Sequence, residues 1–165
     1  MTLAVVEEES QAGLGDLLAE HAPTLLAAAR LITLNDAEAQ DVVQVTFEIA
    51  LRRGHTLRDP RALRAWLLAI ETREALRRVR SMRRFLPFTP RLHDVAAPEP
   101  GRGESLALRD GLRALPRRVR AAIALHYMEG YSVRETAAVL GVSENTIKTQ
   151  LKTGLARLRE ELQDE

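Results

Sequence analysis

Residues 132–151 read SVRETAAVLGVSENTIKTQL. Ser132 is a typical N-cap residue, and the apolar pattern after it predicts a short helix that ends at Leu140. Gly141 suits a turn that needs a positive φ angle, and Ser143 suits the N-cap of a second helix. Two short helices joined by such a turn form a helix-turn-helix, so this stretch predicts a helical fold with a nucleic-acid-binding end.

The side chains around the predicted turn have the sizes that this motif needs. Ala137 is small where the two helices cross closely, and Val142 and Ile147 are apolar residues that fill the angle between them. The exposed positions of the second helix are polar: Glu144, Asn145, Lys148, Thr149 and Lys152. Amides, hydroxyls and lysines contact base edges and phosphates in a major groove, so this surface indicates DNA binding. A helical hairpin with a solvated polar face is the alternative.

Composition excludes several other function classes. The chain has 165 residues and no cysteine, which excludes disulfides, thiolate metal sites and cysteine nucleophiles. Its four histidines are scattered without metal-ligand spacing, and we expect no metal and no cofactor. His126 near Glu129 is conceivable as an acid–base pair, but neighbouring-turn pairs on amphipathic helices usually serve packing, and no enzyme is expected. Without a signal peptide or an apolar run of bilayer length, we expect a cytoplasmic protein.

The net charge of +1 conceals a strong asymmetry along the chain. Residues 1–51 hold one arginine against nine acidic residues, a net charge of −8. Residues 52–94 hold twelve arginines against four acidic residues, a net charge of +8. An acidic block followed by a basic one indicates two partners of opposite sign, nucleic acid being the candidate for the basic block. Internal compensation between two helices is the alternative.

The predicted fold is all-α, with two small helical domains joined by a flexible linker. The linker, residues 85–104, is rich in residues that stop regular structure: Pro87, Pro90, Pro98, Pro100, Gly101 and Gly103. The first domain covers residues 13–84, after a flexible acidic tail at 1–12. The second covers residues 105–165 and ends in the helix-turn-helix.

Local signals place the helix boundaries within each domain. In the first domain we expect helices at about 15–33, 36–53 and 60–84, with Pro23 as a break or a restarted first turn. Asn35 and Glu38 are spaced as a capping box, and Gly54 ends the second helix. Asp59 and Pro60 suit the N-cap and first residue of the third. In the second domain we expect helices at about 106–114, 116–130, 132–140 and 144–162.

The third helix is strongly basic along one face. Arginines recur at helical spacing: Arg73, Arg77, Arg80 and Arg84. Like charges at this spacing repel one another, so the face suits an anionic partner such as phosphate, or the acidic first block. A solvated arginine face is the alternative. The apolar residues before it are expected to face the core: Leu63, Trp66, Leu67 and Ile70.

The second helix has two faces of different character. One face is apolar: Val42, Val43, Thr46, Ile49 and Ala50. The other carries Asp41, Gln44, Val45 and Glu48. A valine among acids and amides suits a protein-docking surface better than a DNA-binding one, although single surface valines are common.

These motifs together resemble a known family. Asp41-Val-Val-Gln-x-x-Phe47, Arg64-Ala-Trp-Leu67 and the arginine-rich helix are similar to the first conserved domain of bacterial sigma factors. Leu115-Pro116, residues 127–132 and residues 135–148 are similar to their last domain. With only two domains and a linker, the chain resembles the small extracytoplasmic-function (ECF) group over nearly its whole length.

The resemblance implies a role in transcription initiation: the factor binds core RNA polymerase and recognises promoter DNA. It implies polymerase binding by Asp41, Gln44, Val45 and Glu48. It implies that the loop 55–59 and the third helix hold the start-proximal promoter element and help to open it. The residues expected to contact this element are Arg58, Arg61, Arg73, Arg77, Arg80 and Arg84. It implies contacts to the upstream element by Ser143, Asn145, Thr146, Lys148, Thr149 and Lys152. A partner anti-sigma factor is also expected, and no membrane insertion.

Some positions depart from the family pattern, and other functions fit part of the sequence. Arg73 and Arg77 stand where the family commonly has Asn and Asp, and Gln150 stands where Arg is common; these departures bear on promoter recognition. One alternative is a sigma-like decoy that binds an anti-sigma factor without recognising DNA. Another is a simple helix-turn-helix transcriptional regulator, which would leave the acidic face and the basic helix unexplained.

Overall fold

A computed structural model describes the backbone of residues 3–85 and 106–163, and the side chains of residues 13–78 and 108–163. The described backbone contains helices and no strand, which confirms the predicted all-α class. Its α-helices are α1 Leu3–Thr33, α2 Asp36–Arg53, α3 Leu63–Phe85, α4 Leu106–Ala114, α5 Arg117–Ile123, α6 Val133–Leu140 and α7 Glu144–Gln163. Helices α1 to α3 are called the N-terminal bundle below, and α4 to α7 the C-terminal bundle.

Helix α1 is longer than the sequence predicts. It begins at Leu3 rather than near Gly15, so the segment predicted as an acidic tail is continuous with the helix. The predicted break at Pro23 is wrong, because Pro23 lies inside the helix. Its ring is exposed, while Leu25 and Ile32 on the other side of the helix are buried. Packing of that apolar side outweighs the one backbone hydrogen bond that a proline removes.

Helix α2 begins as predicted, but only half of the predicted capping box forms. The Asn35 side chain accepts a hydrogen bond from the Glu38 amide at 2.9 Å. The Glu38 carboxylate instead pairs with Arg117 of α5. The helix ends at Arg53 as predicted, although Gly54 then enters a 3-10 turn with φ −55°. A Cβ at Gly54 would lie 2.9 Å from Leu14 Cδ2, so glycine permits a close approach there.

Helix α3 begins with a tighter turn than predicted. Residues Pro60–Ala62 form a 3-10 turn before the α-helix, and the Asp59 carboxylate accepts a hydrogen bond from the Arg61 amide at 3.0 Å. The predicted N-cap and first helical residue are therefore confirmed. The helix continues to Phe85, the first residue of the predicted linker, and the rest of that linker lies outside the described residues.

The N-terminal bundle has a core of aliphatic side chains from all three helices. Those least exposed to solvent are Leu25, Ala28, Ile32, Val42, Leu67 and Leu68. Each large aliphatic side chain buried in this way contributes about 1.5 to 3 kcal/mol of transfer free energy. Four of the five residues predicted for the apolar face of α2 are buried, Val42, Val43, Thr46 and Ala50, and the fifth, Ile49, is half-buried.

The C-terminal bundle packs α4, α5 and α6 against the long helix α7. After α5 the chain widens into a π-helical turn, Ala124–Met128, where the sequence had predicted a regular helix to Gly130. Helices α5 and α7 approach closely because Gly154 has no side chain. A Cβ there would lie 2.7 Å from Val119 Cγ1 and 3.1 Å from Ile123 Cδ1.

The two bundles touch one another. Helix α5 packs against α1 and α3, the π-helical turn packs against α1, and α6 packs against α3. The helices that carry the predicted docking face and the predicted reading helix, α2 and α7, are not the main elements of this contact. Among the described residues, no helix is long and apolar enough to cross a membrane.

Candidate nucleic-acid and protein interfaces

The helix-turn-helix is built by two capped helices and one glycine turn. The Ser132 hydroxyl accepts a hydrogen bond from the Glu135 amide at 3.1 Å, and the Glu135 carboxylate accepts one from the Ser132 amide at 2.8 Å. These bonds lower the pKa of Glu135. Gly141 has φ +64°, which a side chain would strain, as predicted. Ser143 then caps α7 by accepting from the Thr146 amide at 3.1 Å.

The contact between α6 and α7 has the predicted packing. Ala137 is 5% exposed, Ile147 is fully buried and Val142 is half-buried. The Val142 amide also donates a hydrogen bond to the Ala137 carbonyl at 3.1 Å, which closes the turn. Local hydrogen bonds and packing therefore hold the N-terminal end of α7 in one orientation.

The outer face of α7 presents the polar side chains that the sequence predicts. Of the six residues predicted to contact the upstream element, Thr146 is half-buried and the other five are exposed: Ser143, Asn145, Lys148, Thr149 and Lys152. Ser143 is occupied as a cap, and the Thr149 hydroxyl donates to the Asn145 carbonyl at 3.0 Å. Within the described residues, the side chains of Asn145, Lys148 and Lys152 form no hydrogen bond or ion pair. They are the groups of α7 most available to a ligand.

Gln150 differs from its exposed neighbours on α7. It is half-buried, and its Oε1 atom is buried without a hydrogen-bond partner in the described part of the chain. Its amide oxygen therefore faces the interior rather than a groove.

The predicted basic face of α3 is partly occupied by contacts within the protein. Arg61 pairs with Asp59 at 3.2 Å and Arg77 with Glu74 at 2.7 Å, while Arg58 is exposed. Arg73 is exposed and donates to the Val139 carbonyl of α6 at 3.3 Å. The side chains of the other two predicted residues, Arg80 and Arg84, lie outside the described residues.

A cleft that sequence reasoning missed opens beside the basic face. It has a volume of about 550 Å³ and is lined by Arg53, His55, Thr56, Trp66, Ala69, Ile70 and Arg73. Trp66 and Ile70 were predicted to face the core, but both are only half-buried and line this cleft. The 3-10 turn after α2 brings Arg53 and His55 opposite them. An indole beside arginines is a suitable surface for an unstacked base and its phosphates.

The predicted docking face of α2 is accessible. Asp41, Gln44 and Glu48 are exposed and Val45 is half-buried. The Gln44 amide donates to Glu48 at 3.3 Å, and Asp41 pairs with Arg78 of α3 at 3.1 Å. Both contacts are at the surface, where ion pairs contribute little and are easily exchanged for a partner.

Two arginines of α5 hold the bundles together. Arg120 is 6% exposed and donates to the Ile32 carbonyl of α1 at 2.8 and 3.0 Å. It also donates to the Leu112 and Leu115 carbonyls at 3.2 and 2.5 Å. Burial, with the nearby charge of Arg117, lowers the pKa of Arg120 to about 10. Arg117 itself pairs with the Glu38 carboxylate through two contacts at 2.9 and 3.0 Å.

A buried carboxyl group lies at the same junction. Glu71 of α3 is fully buried, and neither of its carboxyl oxygens has a hydrogen-bond partner among the described residues. Burial, together with the Glu129 carboxylate, raises the pKa of Glu71 to about 8. Glu129 pairs with Arg64, two turns before Glu71 on α3. Burial also raises the pKa of Glu129, and that of the neighbouring Tyr131.

Neither Arg120 nor Glu71 was predicted from the sequence, although each leaves a signal there. Arg120 interrupts the apolar run from Val119 to Leu125, and Glu71 ends the apolar run that starts at Trp66. A single charge within a run of buried positions is expected to be buried itself and to need a partner. The partner of Arg120 is a main-chain carbonyl in another helix, which no spacing rule identifies.

The conceivable acid–base pair does not assemble. The His126 ring nitrogen Nδ1 lies 2.6 Å from the Tyr131 carbonyl, while the Glu129 carboxylate is bound to Arg64. Within residues 13–78 and 108–163, no group of three or more His, Asp or Glu side chains is arranged to hold a metal ion.

Comparison with known families finds two matches that account for both bundles. Residues 17–85 match the Sigma-70 region 2 family, and residues 105–158 match the Sigma-70 region 4 family. Among solved structures, the sigma factor RpoE of Bartonella quintana, in complex with the anti-sigma factor NepR, superposes with a TM-score of 0.75 at 26% identity. The superposition covers 92% of this chain and 97% of that one, so it includes both bundles at once.

Curated relatives agree with these matches. The RNA polymerase sigma-E factor of Streptomyces coelicolor is 35% identical over 144 residues, which cover 84% of this chain and 79% of the relative. The ECF RNA polymerase sigma factor SigM of Mycobacterium tuberculosis is 33% identical over 145 residues, covering 86% and 73%. Sigma-factor families are not enzyme families. On its sequence and on its fold, this chain belongs to the extracytoplasmic-function group of RNA polymerase sigma factors.

Proposed function

We propose that this sigma factor, which binds core RNA polymerase and directs promoter-specific transcription initiation, does so through three separate surfaces. The observation that carries the proposal is the capped helix-turn-helix, whose α7 presents Asn145, Lys148 and Lys152 with no side-chain hydrogen bond or ion pair to any described residue. A surface of unpaired lysines and an amide at the start of a fixed helix fits a DNA groove and has no packing role. The other two surfaces lie on the N-terminal bundle.

The first surface is the α2 face, which we assign to the polymerase. Its residues Asp41, Gln44, Val45 and Glu48 combine acids, an amide and one aliphatic side chain, and only weak surface contacts occupy them. Such a mixed, accessible patch suits a basic partner surface. The hydrogen bonds and ion pairs of these side chains are all within the N-terminal bundle, so a partner can reach them without moving the C-terminal one.

The second surface is the basic side of α3, which we assign to the start-proximal promoter element. Arg58, Arg61, Arg73 and Arg77 supply positive charge for the phosphates. The cleft beside Trp66 adds a place for a base that has left the duplex. Arg80 and Arg84 continue the same helical spacing and belong to this surface by sequence.

The third surface is α7, which we assign to the upstream element as duplex DNA. Ser143, Asn145 and Thr146 lie at the end of the helix that enters a groove in helix-turn-helix proteins. Lys148, Thr149 and Lys152 follow along the exposed side. In this assignment the domains are residues 13–84 and 105–165, and residues 85–104 connect them; residues 3–12 extend α1 before the first domain.

An anti-sigma factor is the third proposed partner. The support is the likeness to RpoE, a sigma factor whose solved structure contains the anti-sigma factor NepR. The likeness extends over both bundles, so the arrangement of the two bundles resembles that of a sigma factor held by its inhibitor. We place the protein in the cytoplasm, with no cofactor and no chemistry of its own, since the polymerase forms the bonds.

The test is co-elution with purified bacterial core RNA polymerase on a sizing column, followed by transcription from a pool of genomic fragments. We expect co-elution and new, discrete start sites. A double substitution, Asp41→Arg with Glu48→Arg, is expected to abolish co-elution, whereas Glu20→Arg on the exposed side of α1 is a matched control that should still co-elute. Failure of the folded wild-type protein to co-elute would favour a decoy. Co-elution of the double variant would show that the α2 face is misassigned.

A further inference from the structure

The side chain of Glu71 is a carboxyl group at the contact between the two bundles. Its ionised form is unfavourable there. Arg64, Glu71 and Ala75 follow one another along the same face of α3, at spacings of seven and four residues. At one end of this face Arg64 pairs with Glu129, and at the other the Ala75 carbonyl accepts from Arg117 at 3.3 Å. Both partners belong to the C-terminal bundle. Glu71 lies between these two contacts, and the Glu129 carboxylate of the C-terminal bundle is near enough to act on its charge.

We infer that the two bundles form a closed state whose formation is coupled to uptake of one proton by Glu71. In this closed state the carboxyl group is fully buried, and neither oxygen has a hydrogen-bond donor within the described part of the chain. When the bundles separate, water reaches it and the carboxylate is stable. The inference concerns the free protein and does not depend on the proposed assignments of polymerase and promoter surfaces.

The charged groups around Glu71 give it no compensation. Glu129 of the C-terminal bundle repels a carboxylate at this position, and Arg64 is already paired with Glu129. Thr72 slightly favours the ionised form but makes no hydrogen bond of normal geometry. Four arginines of the surrounding helices are bound to other groups: Arg30 to Asp36, Arg78 to Asp41, Arg117 to Glu38, and Arg120 to carbonyl oxygens.

The direction of the pH dependence follows from the two protonation states. Burial raises the pKa of Glu71 to about 8 in the closed state, against an ordinary value of 4.5 when it is exposed. The closed state therefore binds the proton more tightly, and acid favours it. This advantage is complete below the ordinary pKa and is lost as the pH rises towards 8. Between these limits the closure equilibrium changes about tenfold for each pH unit.

Closure also has a consequence for DNA binding. Arg73, two residues after Glu71, donates its hydrogen bond to the Val139 carbonyl of the C-terminal bundle. The same guanidinium belongs to the basic face proposed for the start-proximal element. The closed state therefore occupies one of the arginines that this element would use.

Fluorescence energy transfer between the bundles measures closure directly. The chain has no cysteine, so dyes can be attached at Ala19→Cys of α1 and Ala156→Cys of α7, both exposed. We expect the closed fraction of the otherwise wild-type protein to fall as the pH is raised from about 5.5 to about 8.5. Glu71→Gln, a neutral side chain of the same shape, should stay closed to the same extent throughout. Glu74→Gln, one turn along α3 and outside the contact, is the matched control and should keep the wild-type dependence.

Two results would overturn the inference. One is a wild-type closed fraction that does not change over this range. The other is a Glu71→Gln variant that keeps the wild-type dependence, which would show that a different group causes it. Far-UV circular dichroism checks that each variant is folded. The wild-type titration alone remains decisive if Glu71→Gln does not fold.

Discussion

Replacing Arg120 by alanine should weaken both the C-terminal bundle and its contact with α1. The guanidinium is buried and donates to three carbonyl oxygens, those of Ile32, Leu112 and Leu115. The Leu112 carbonyl keeps the Leu115 amide as a donor at 3.2 Å. The Ile32 and Leu115 carbonyls lose the donor seen here. Each buried carbonyl left without a donor costs about 1 to 3 kcal/mol. The variant no longer buries a charged guanidinium, which offsets part of this cost. We therefore expect the free energy of unfolding to fall by about 3 kcal/mol.

Urea unfolding followed by two probes tests this value and its origin. The single tryptophan, Trp66, lies in the N-terminal bundle, so its fluorescence reports on that bundle, whereas far-UV circular dichroism reports on both. Because Arg120 joins the bundles, we expect the two transitions to coincide in the wild-type protein and to separate in Arg120→Ala. Arg134→Ala, at an exposed position of α6, is the control and should change the free energy of unfolding by less than about 0.5 kcal/mol. A loss below about 1 kcal/mol in Arg120→Ala, with coincident transitions, would refute the reasoning.

Two further predictions concern the helix-turn-helix. Replacing both Lys148 and Lys152 by alanine should weaken binding to an upstream-element duplex and reduce the magnitude of the slope of log affinity against log salt by about 2. The control Arg159→Ala, farther along α7, should leave this slope unchanged. An unaltered slope in the double variant would show that these lysines do not contact the DNA. Gly141→Ala should lower the free energy of unfolding by about 1 to 2 kcal/mol, because the backbone φ angle there is +64°. Gly13→Ala, in a helix with open space around the residue, should be neutral or stabilising. Equal changes of the two variants in thermal unfolding would contradict this reasoning.

The parts of the fold that the sequence predicts well are held by interactions between residues near in the chain. Ser132, Gly141 and Ser143 each act within three or four residues, and each does what its residue type indicates. The face of α2 was predictable for the same reason, since helical periodicity alone separates its apolar and polar sides. These signals carry both the fold class and the reading helix.

The parts that sequence reasoning missed depend on residues far apart in the chain. Glu38 has the spacing of a capping box, but Arg117, which follows it by 79 positions, binds its carboxylate. Trp66 looks like a core residue, yet the turn after α2 folds back to form a cleft beside it. In each case a tertiary contact outweighed a local preference of about 1 kcal/mol or less. The spacing of residues contains no information on such contacts.

The closed arrangement leaves some of the proposed surfaces free and occupies another, which indicates an order of events. The α2 face and the outer side of α7 are exposed while the bundles touch, so polymerase and upstream DNA can reach them without prior opening. Arg73, in contrast, donates one hydrogen bond to the Val139 carbonyl while the bundles touch. A partner whose binding sites for the two bundles are far apart binds the open state more tightly than the closed one. This difference in affinity shifts the equilibrium towards the open state. Docking of the polymerase can therefore precede opening, and engagement of the start-proximal element by Arg73 is favoured after it, because separation releases the hydrogen bond to Val139.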